Sequence, residues 1–122
     1  MAGPVVILLR SADWESRYQA ATLAVTAAAL GDEVHLALFF GALRAWVEGR
    51  FDEGAPARAA AVGSLRQMIE EGRAELGVRV VACDTAVRLA GFEPKQVVAV
   101  LDGIASLPDL WRLGQRGRAL AI

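Results

Sequence analysis

Apolar residues in this chain alternate between short unbroken runs and longer stretches of helical spacing. Val5 to Leu9 is continuous and rich in β-branched residues, as expected of a central strand covered on both faces. Asp13-Trp14-Glu15-Ser16 then supplies capping and acidic first-turn residues for an alanine-rich helix through Arg17 to Leu30, which stops at Gly31. Val34 to Phe40 reads as a second strand, followed by Gly41 and a short helix holding Leu43, Trp46 and Val47. Glu48 to Pro56 turns to glycine, charge and proline, the composition of an exposed loop, and is expected to be a mobile lid.

The stripe Val62, Leu65, Met68, Ile69 and Leu76 predicts one long helix from Ala57 to Leu76, closed by Gly77. Val78 to Ala82 is a third buried run, and Ala86 to Ala90 begins a helix behind it. Pro94 suits the first turn of a helix through Leu101, followed by a short strand near Gly103 to Ser106. A helix over Leu107 to Leu113 and a closing strand over Arg118 to Ile122 complete the chain. This alternation predicts an α/β fold: a three-layer α/β/α sandwich around a mainly parallel five-stranded sheet, with right-handed crossovers.

Composition narrows the picture. A length of 122 residues fits one domain spanning the chain. A hydrophobic fraction of 55% and mean hydropathy of +0.37 are high for so small a domain, which predicts an apolar surface covered in an oligomer. Thirteen basic and fourteen acidic residues, spread along the chain, leave no electrostatic footprint for nucleic acid or for an anionic membrane. A charge-free stretch, Gln19 to Gly31, is too short to span a bilayer, and the start lacks a signal-peptide pattern, so the expected location is cytoplasmic. A single cysteine suits a reducing compartment.

The candidate chemistry centres on that cysteine. Cys83 stands where the third run gives way to Asp84-Thr85, at the carboxyl end of a strand and the start of a helix, where α/β proteins place their sites. A helix start favours the thiolate and Asp84 opposes it. Two readings therefore stand side by side: a functional thiol, or a small buried apolar residue. No phosphate loop, dinucleotide fingerprint or serine-hydrolase elbow occurs, and one cysteine with one histidine cannot build a zinc site within a single chain, so neither metal nor cofactor is expected.

His35 opens the second strand at the opposite, amino edge and reads as structural, which leaves Cys83 without an imidazole base. The carboxyl-edge neighbours expected around Cys83 are Arg10, Ser11 and Asp13 after the first strand, with Phe40, Gly41 and Arg44 after the second. Arg10 or Arg44 would favour a thiolate or persulfide anion, or would pair with a surface acid. Trp46 and Phe51 are expected either to roof a dry pocket or to fill a subunit contact.

Several segments together carry a likeness: Val5-Val6-Ile7-Leu8-Leu9, Ala27-Ala28-Ala29-Leu30-Gly31, Glu33-Val34 to Phe39-Phe40-Gly41, and Gly77 to Cys83. In this order the chain resembles the DsrE/DsrF/TusD-like sulfur-relay proteins over nearly its whole length. The resemblance implies a small α/β/α subunit of a trimer or hexamer. It further implies that Cys83 carries sulfane sulfur as a persulfide between donor and acceptor proteins, followed by Asp84 and Thr85 at the next helix start. With no second cysteine to resolve it, a persulfide must pass to another molecule. The alternative is a non-catalytic small-molecule-binding or structural subunit of the same fold.

Overall fold

A computed structural model describes residues 3–122. Five strands, β1 (Val5–Leu9), β2 (Val34–Leu38), β3 (Arg79–Cys83), β4 (Gly103–Ala105) and β5 (Arg118–Ala121), form one sheet in the order β4-β3-β2-β1-β5. Every pairing is parallel, as the unbroken apolar runs require. The helices are α1 (Trp14–Ala29), α2 (Phe40–Val47), α3 (Leu65–Leu76), α4 (Asp84–Ala90), α5 (Pro94–Val98) and α6 (Leu107–Gln115).

From β1 to β4 the chain steps across the sheet in one direction, with α1 packed beside α3. Ala20, Ala21, Ala24 and Ala28 form the buried stripe of α1, and their small side chains let it lie close to β1 and β2. The last connection returns from one edge strand to the other, so a right-handed crossover places α6 on the opposite face. There Gly114 of α6 meets β5 so closely that a Cβ at that position would lie 3.0 Å from the Ala119 Cβ. The result is the expected three-layer α/β/α arrangement.

Register assigns each strand residue to a face. Val6 pairs with Ala119, and Leu8, Ala37 and Val81, which align with Ala121, share that face with it and so face α6, whereas Ile7, Leu36 and Val80 face α1. Most of these side chains are fully buried, and the core is continuous through both faces.

Four boundaries differ from expectation, each for a local reason. β2 ends at Leu38 because Phe40, with φ of +43°, swings the chain into α2. The long helix expected from Ala57 is instead a short 3₁₀ turn, Ala57–Ala61, then a break at Gly63 with φ of +82°, then α3. The α3 N-terminus is held by Ser64, which accepts the Gln67 N–H, and by Asp52, which accepts the N–H groups of Leu65 and Arg66. Val62 and Leu76, expected on the buried stripe, are exposed. α4 begins at Asp84, two residues early, and α5 stops at Val98 so that the Asp102 N–H can reach the Val80 carbonyl at the entry to β4.

The segment 48–56, expected as a mobile lid, is a largely exposed turn anchored at its centre. Phe51 is fully buried and meets Trp46 edge to face, with ring centroids 5.1 Å apart. These two aromatics therefore belong to the protomer core, with the Trp46 indole donating to the Val100 carbonyl, and neither roofs a pocket nor fills a subunit contact. Arg17, buried within α1, donates to the carbonyl oxygens of Ala12, Arg50, Phe51 and Glu53 and so ties the turn to the first helix. Burial pushes its pKa down, while Asp52, Asp13 and Glu53 pull it back up.

Candidate functional site

The carboxyl ends of the parallel strands lie along one edge of the sheet. Leu9 pairs with Leu38 and Leu38 with Ala82. One step further along the same registers, Arg10, Phe39 and Cys83 lie side by side, an arrangement the Phe39 N–H to Leu9 carbonyl bond continues. At a strand spacing of about 4.8 Å, Phe39 stands next to Cys83 and Arg10 one strand beyond it. Phe39 remains extended, at φ of −124°, and its ring turns to the α6 side as the alternation from Ala37 dictates.

Phe39 is also a wall of a small hollow of 170 Å³ between the sheet and the start of α6. Leu8, Phe40, Leu107, Ala121 and Ile122 complete its apolar lining, and Arg10 borders it without giving it appreciable polar surface. The hollow sits between β1 and β5, where the strand order reverses, the position at which open parallel sheets bind ligands. Larger hollows, up to 550 Å³, run along the outer side of α1 and the 3₁₀ turn, and their linings contain no strand residue. They are more polar than the strand-end hollow and lie away from the strand ends, whereas the strand-end hollow has the position that open parallel sheets use.

Cys83 is 3% exposed and lines none of these hollows. It is the residue before α4, and its side chain caps no helical N–H. The one polar neighbour of its sulfur is the Asp84 carboxylate, with Sγ 4.0 Å from Oδ1. That carboxylate also accepts the Thr85 N–H at 2.7 Å, so the anion-favouring end of α4 is already occupied by an acid. The Thr85 hydroxyl accepts in turn from Arg88, one helical turn on.

The other expected site residues separate into groups. Arg10 and Phe40 meet at the hollow, while Asp84 and Thr85 meet at the thiol. Neither Arg10 nor Arg44 bonds to Cys83, and Arg44 is exposed on the second turn of α2. Ser11 and Asp13 have structural roles: the Ser11 hydroxyl accepts the Asp13 N–H at 2.9 Å, and Asp13 accepts the Ser16 N–H to cap α1. Gly41 is required by close packing, since a Cβ there would stand 2.8 Å from that of Ala12. His35 lies at the amino edge, its Nε2 2.6 Å from Glu33.

Three contributors went unread in the sequence: Phe39, Leu107 and Arg88. The signal for Arg88 is its spacing three residues after Thr85 on a helix. Phe39 and Leu107 carry no such local signal, because only strand order and register bring them to this edge.

No protein-family model matches the chain, and no curated protein matches it either. Among solved structures the chain is similar to that of a protein of unknown function, MTH1491 from Methanobacterium thermoautotrophicum. The two share 13% sequence identity at a TM-score of 0.66, over 98% of this chain and 99% of that one. At that identity the likeness bears on the fold alone.

Proposed function

We propose that this chain is a cytoplasmic, homo-oligomeric sulfur-relay subunit of the DsrE-like kind, carrying one sulfane sulfur on Cys83. The observation that carries this reading is the position of the thiol. The only cysteine ends β3 at the carboxyl edge, caps nothing, and has a carboxylate as its one polar neighbour. Among the described residues no helix is long and apolar enough to cross a membrane. Exposed Trp111, at 63%, and Leu107, at 51%, on α6, with the wholly exposed strand β5, offer the surface that assembly would cover.

In the proposed step the Cys83 S–H gives its proton to the Asp84 carboxylate, and the sulfur attacks the outer sulfur of a donor persulfide. A new S–S bond forms at Cys83 as the S–S bond of the donor breaks. The leaving thiolate takes up the proton, so a thiol and a persulfide exchange roles without net oxidation. An acceptor thiolate then removes the sulfur by the same step. Asp84 replaces the missing imidazole as proton acceptor, and burial of the site protects the persulfide from adventitious thiols.

Mass spectrometry after incubation with a persulfide donor tests the reading. Wild type gains one sulfur atom and Cys83→Ser gains none; an unmodified wild type, or equal gain in the variant, overturns it. The deep burial of Cys83 favours a second reading, a binding module in which the cysteine is an inert wall residue. Alkylation across pH separates them, since that reading requires a thiol no faster than a free model thiol near neutrality.

A further inference from the structure

We infer that the groove between α1 and the 3₁₀ turn Ala57–Ala61 is a binding site for a small zwitterion carrying an aromatic ring, the chemical class of an aromatic α-amino acid. The inference holds whether or not Cys83 carries sulfur, because it rests on other residues in another layer. Trp14 and Glu15 stand four and three residues before Tyr18, so all three share the outer face of α1. Across from them, Pro56, Ala59 and Val62 recur every third residue, the period of a 3₁₀ helix, and so line up on the side of the turn that meets α1. The groove between these two walls measures 550 Å³, within the range of about 300–1,000 Å³ usual for small-molecule sites. Its far wall is preformed: the Ser64 hydroxyl donates to Asp52 at 2.6 Å, and Arg17 donates to the Glu53 carbonyl, which ties both ends of the turn.

Ring and charge together select the ligand. Trp14 and Tyr18 stack with ring centroids 5.4 Å apart and planes 25° from parallel, an aromatic pair against which one further ring can pack. Glu15 lines the groove from α1 and Arg58 lines it from the turn, and both are exposed. Among the described residues neither forms an ion pair, so the groove holds two uncompensated charges of opposite sign. A pure anion would meet a like charge at Glu15 and a pure cation would meet one at Arg58, whereas a zwitterion gives its ammonium to Glu15 and its carboxylate to Arg58. The groove lies on the opposite side of the sheet from α6, so assembly through α6 and β5 leaves it open.

Titration with L-phenylalanine, with 3-phenylpropionate, which lacks the ammonium, and with 2-phenylethylamine, which lacks the carboxylate, tests the inference by ligand-observed NMR and tryptophan fluorescence. Phenylalanine binds saturably and each truncated ligand binds about threefold more weakly, the effect of one exposed ion pair. Glu15→Gln removes the preference over 3-phenylpropionate and keeps that over 2-phenylethylamine, while Arg58→Gln does the reverse. Tyr18→Ala weakens all three ligands about fivefold. The three positions are exposed, and an unchanged melting temperature shows that the variants fold. Phenylalanine that fails to bind at millimolar concentration, binds no better than either analogue, or ignores the substitutions overturns the proposal. So does a lower mass in light scattering for Tyr18→Ala when wild type binds no phenylalanine, since the groove then takes a second copy of the chain. Cys83→Ser leaves binding unchanged, so failure to persulfidate and failure to bind are separate results.

Discussion

Two residues have roles that follow from what surrounds them. Among the described residues, Asp84 is the one hydrogen-bond acceptor of the Cys83 thiol. Asp84→Asn is therefore expected to slow sulfur uptake at neutral pH by about tenfold, and to shift the pH profile upward as solvent base takes over. A stopped-flow series with a persulfide donor checks this, and an unchanged profile excludes Asp84 from the step. Arg17 is buried and donates to four carbonyl oxygens, of which, among the described residues, only that of Arg50 has a second donor, the Glu53 N–H. Lysine lacks the planar fork, so Arg17→Lys should lower stability in urea by about 2 kcal/mol and open the 50–53 amides to hydrogen exchange. Equal denaturation midpoints would contradict that role.

At the scale of elements, strands were more legible than helix breaks. Val5–Leu9 is the strand its apolar run predicts, because five β-branched and aliphatic residues between Pro4 and Arg10 are too few for a buried helix and suit a strand covered on both faces. The single helix expected from Ala57 failed because helical spacing continues through Gly63, whereas the break depends on Asp52, thirteen residues before Leu65, reaching the first N–H groups of α3. Asp52→Ala should therefore cost about 2 kcal/mol, more than the ~1 kcal/mol of Ser64→Ala, which removes the Gln67 cap bond and the Ser64 hydroxyl's bond to Asp52 but leaves both Asp52 bonds to the helix start. Thermal unfolding of both variants measures the order, and its reversal would mean that Ser64 alone defines the helix start.

For the whole molecule, the ion pair between Arg73 and Asp102 ties α3 to the entry of β4. Burial raises the Asp102 pKa, but the Arg73 hydrogen bonds and the Val80 N–H outweigh it and hold the carboxyl below its ordinary value. A depressed folded-state pKa contributes stability above the unfolded carboxylate pKa, and that stability is lost as pH falls through the folded value. The melting-temperature gap between wild type and Asp102→Asn should thus be widest near neutrality and close below the usual carboxylate range. A gap constant across that range would remove Asp102 from the acid response. Assembly is tested at the same scale: light scattering should find wild type as a trimer or hexamer and Trp111→Glu shifted toward monomer with its fold intact.

By itself the sequence determined the α/β class, the five strands, the main caps and the position of Cys83 at a strand end. Those features depend on neighbours within a few residues, through apolar periodicity, capping side chains and glycine conformation. Tertiary structure alone decided that Arg10, Phe39 and Cys83 stand in one row, that Arg17 pins the expected lid, and that Trp46 and Phe51 belong to the core. Each of these depends on strand order and register, which join residues tens of positions apart and leave no periodic trace along the chain.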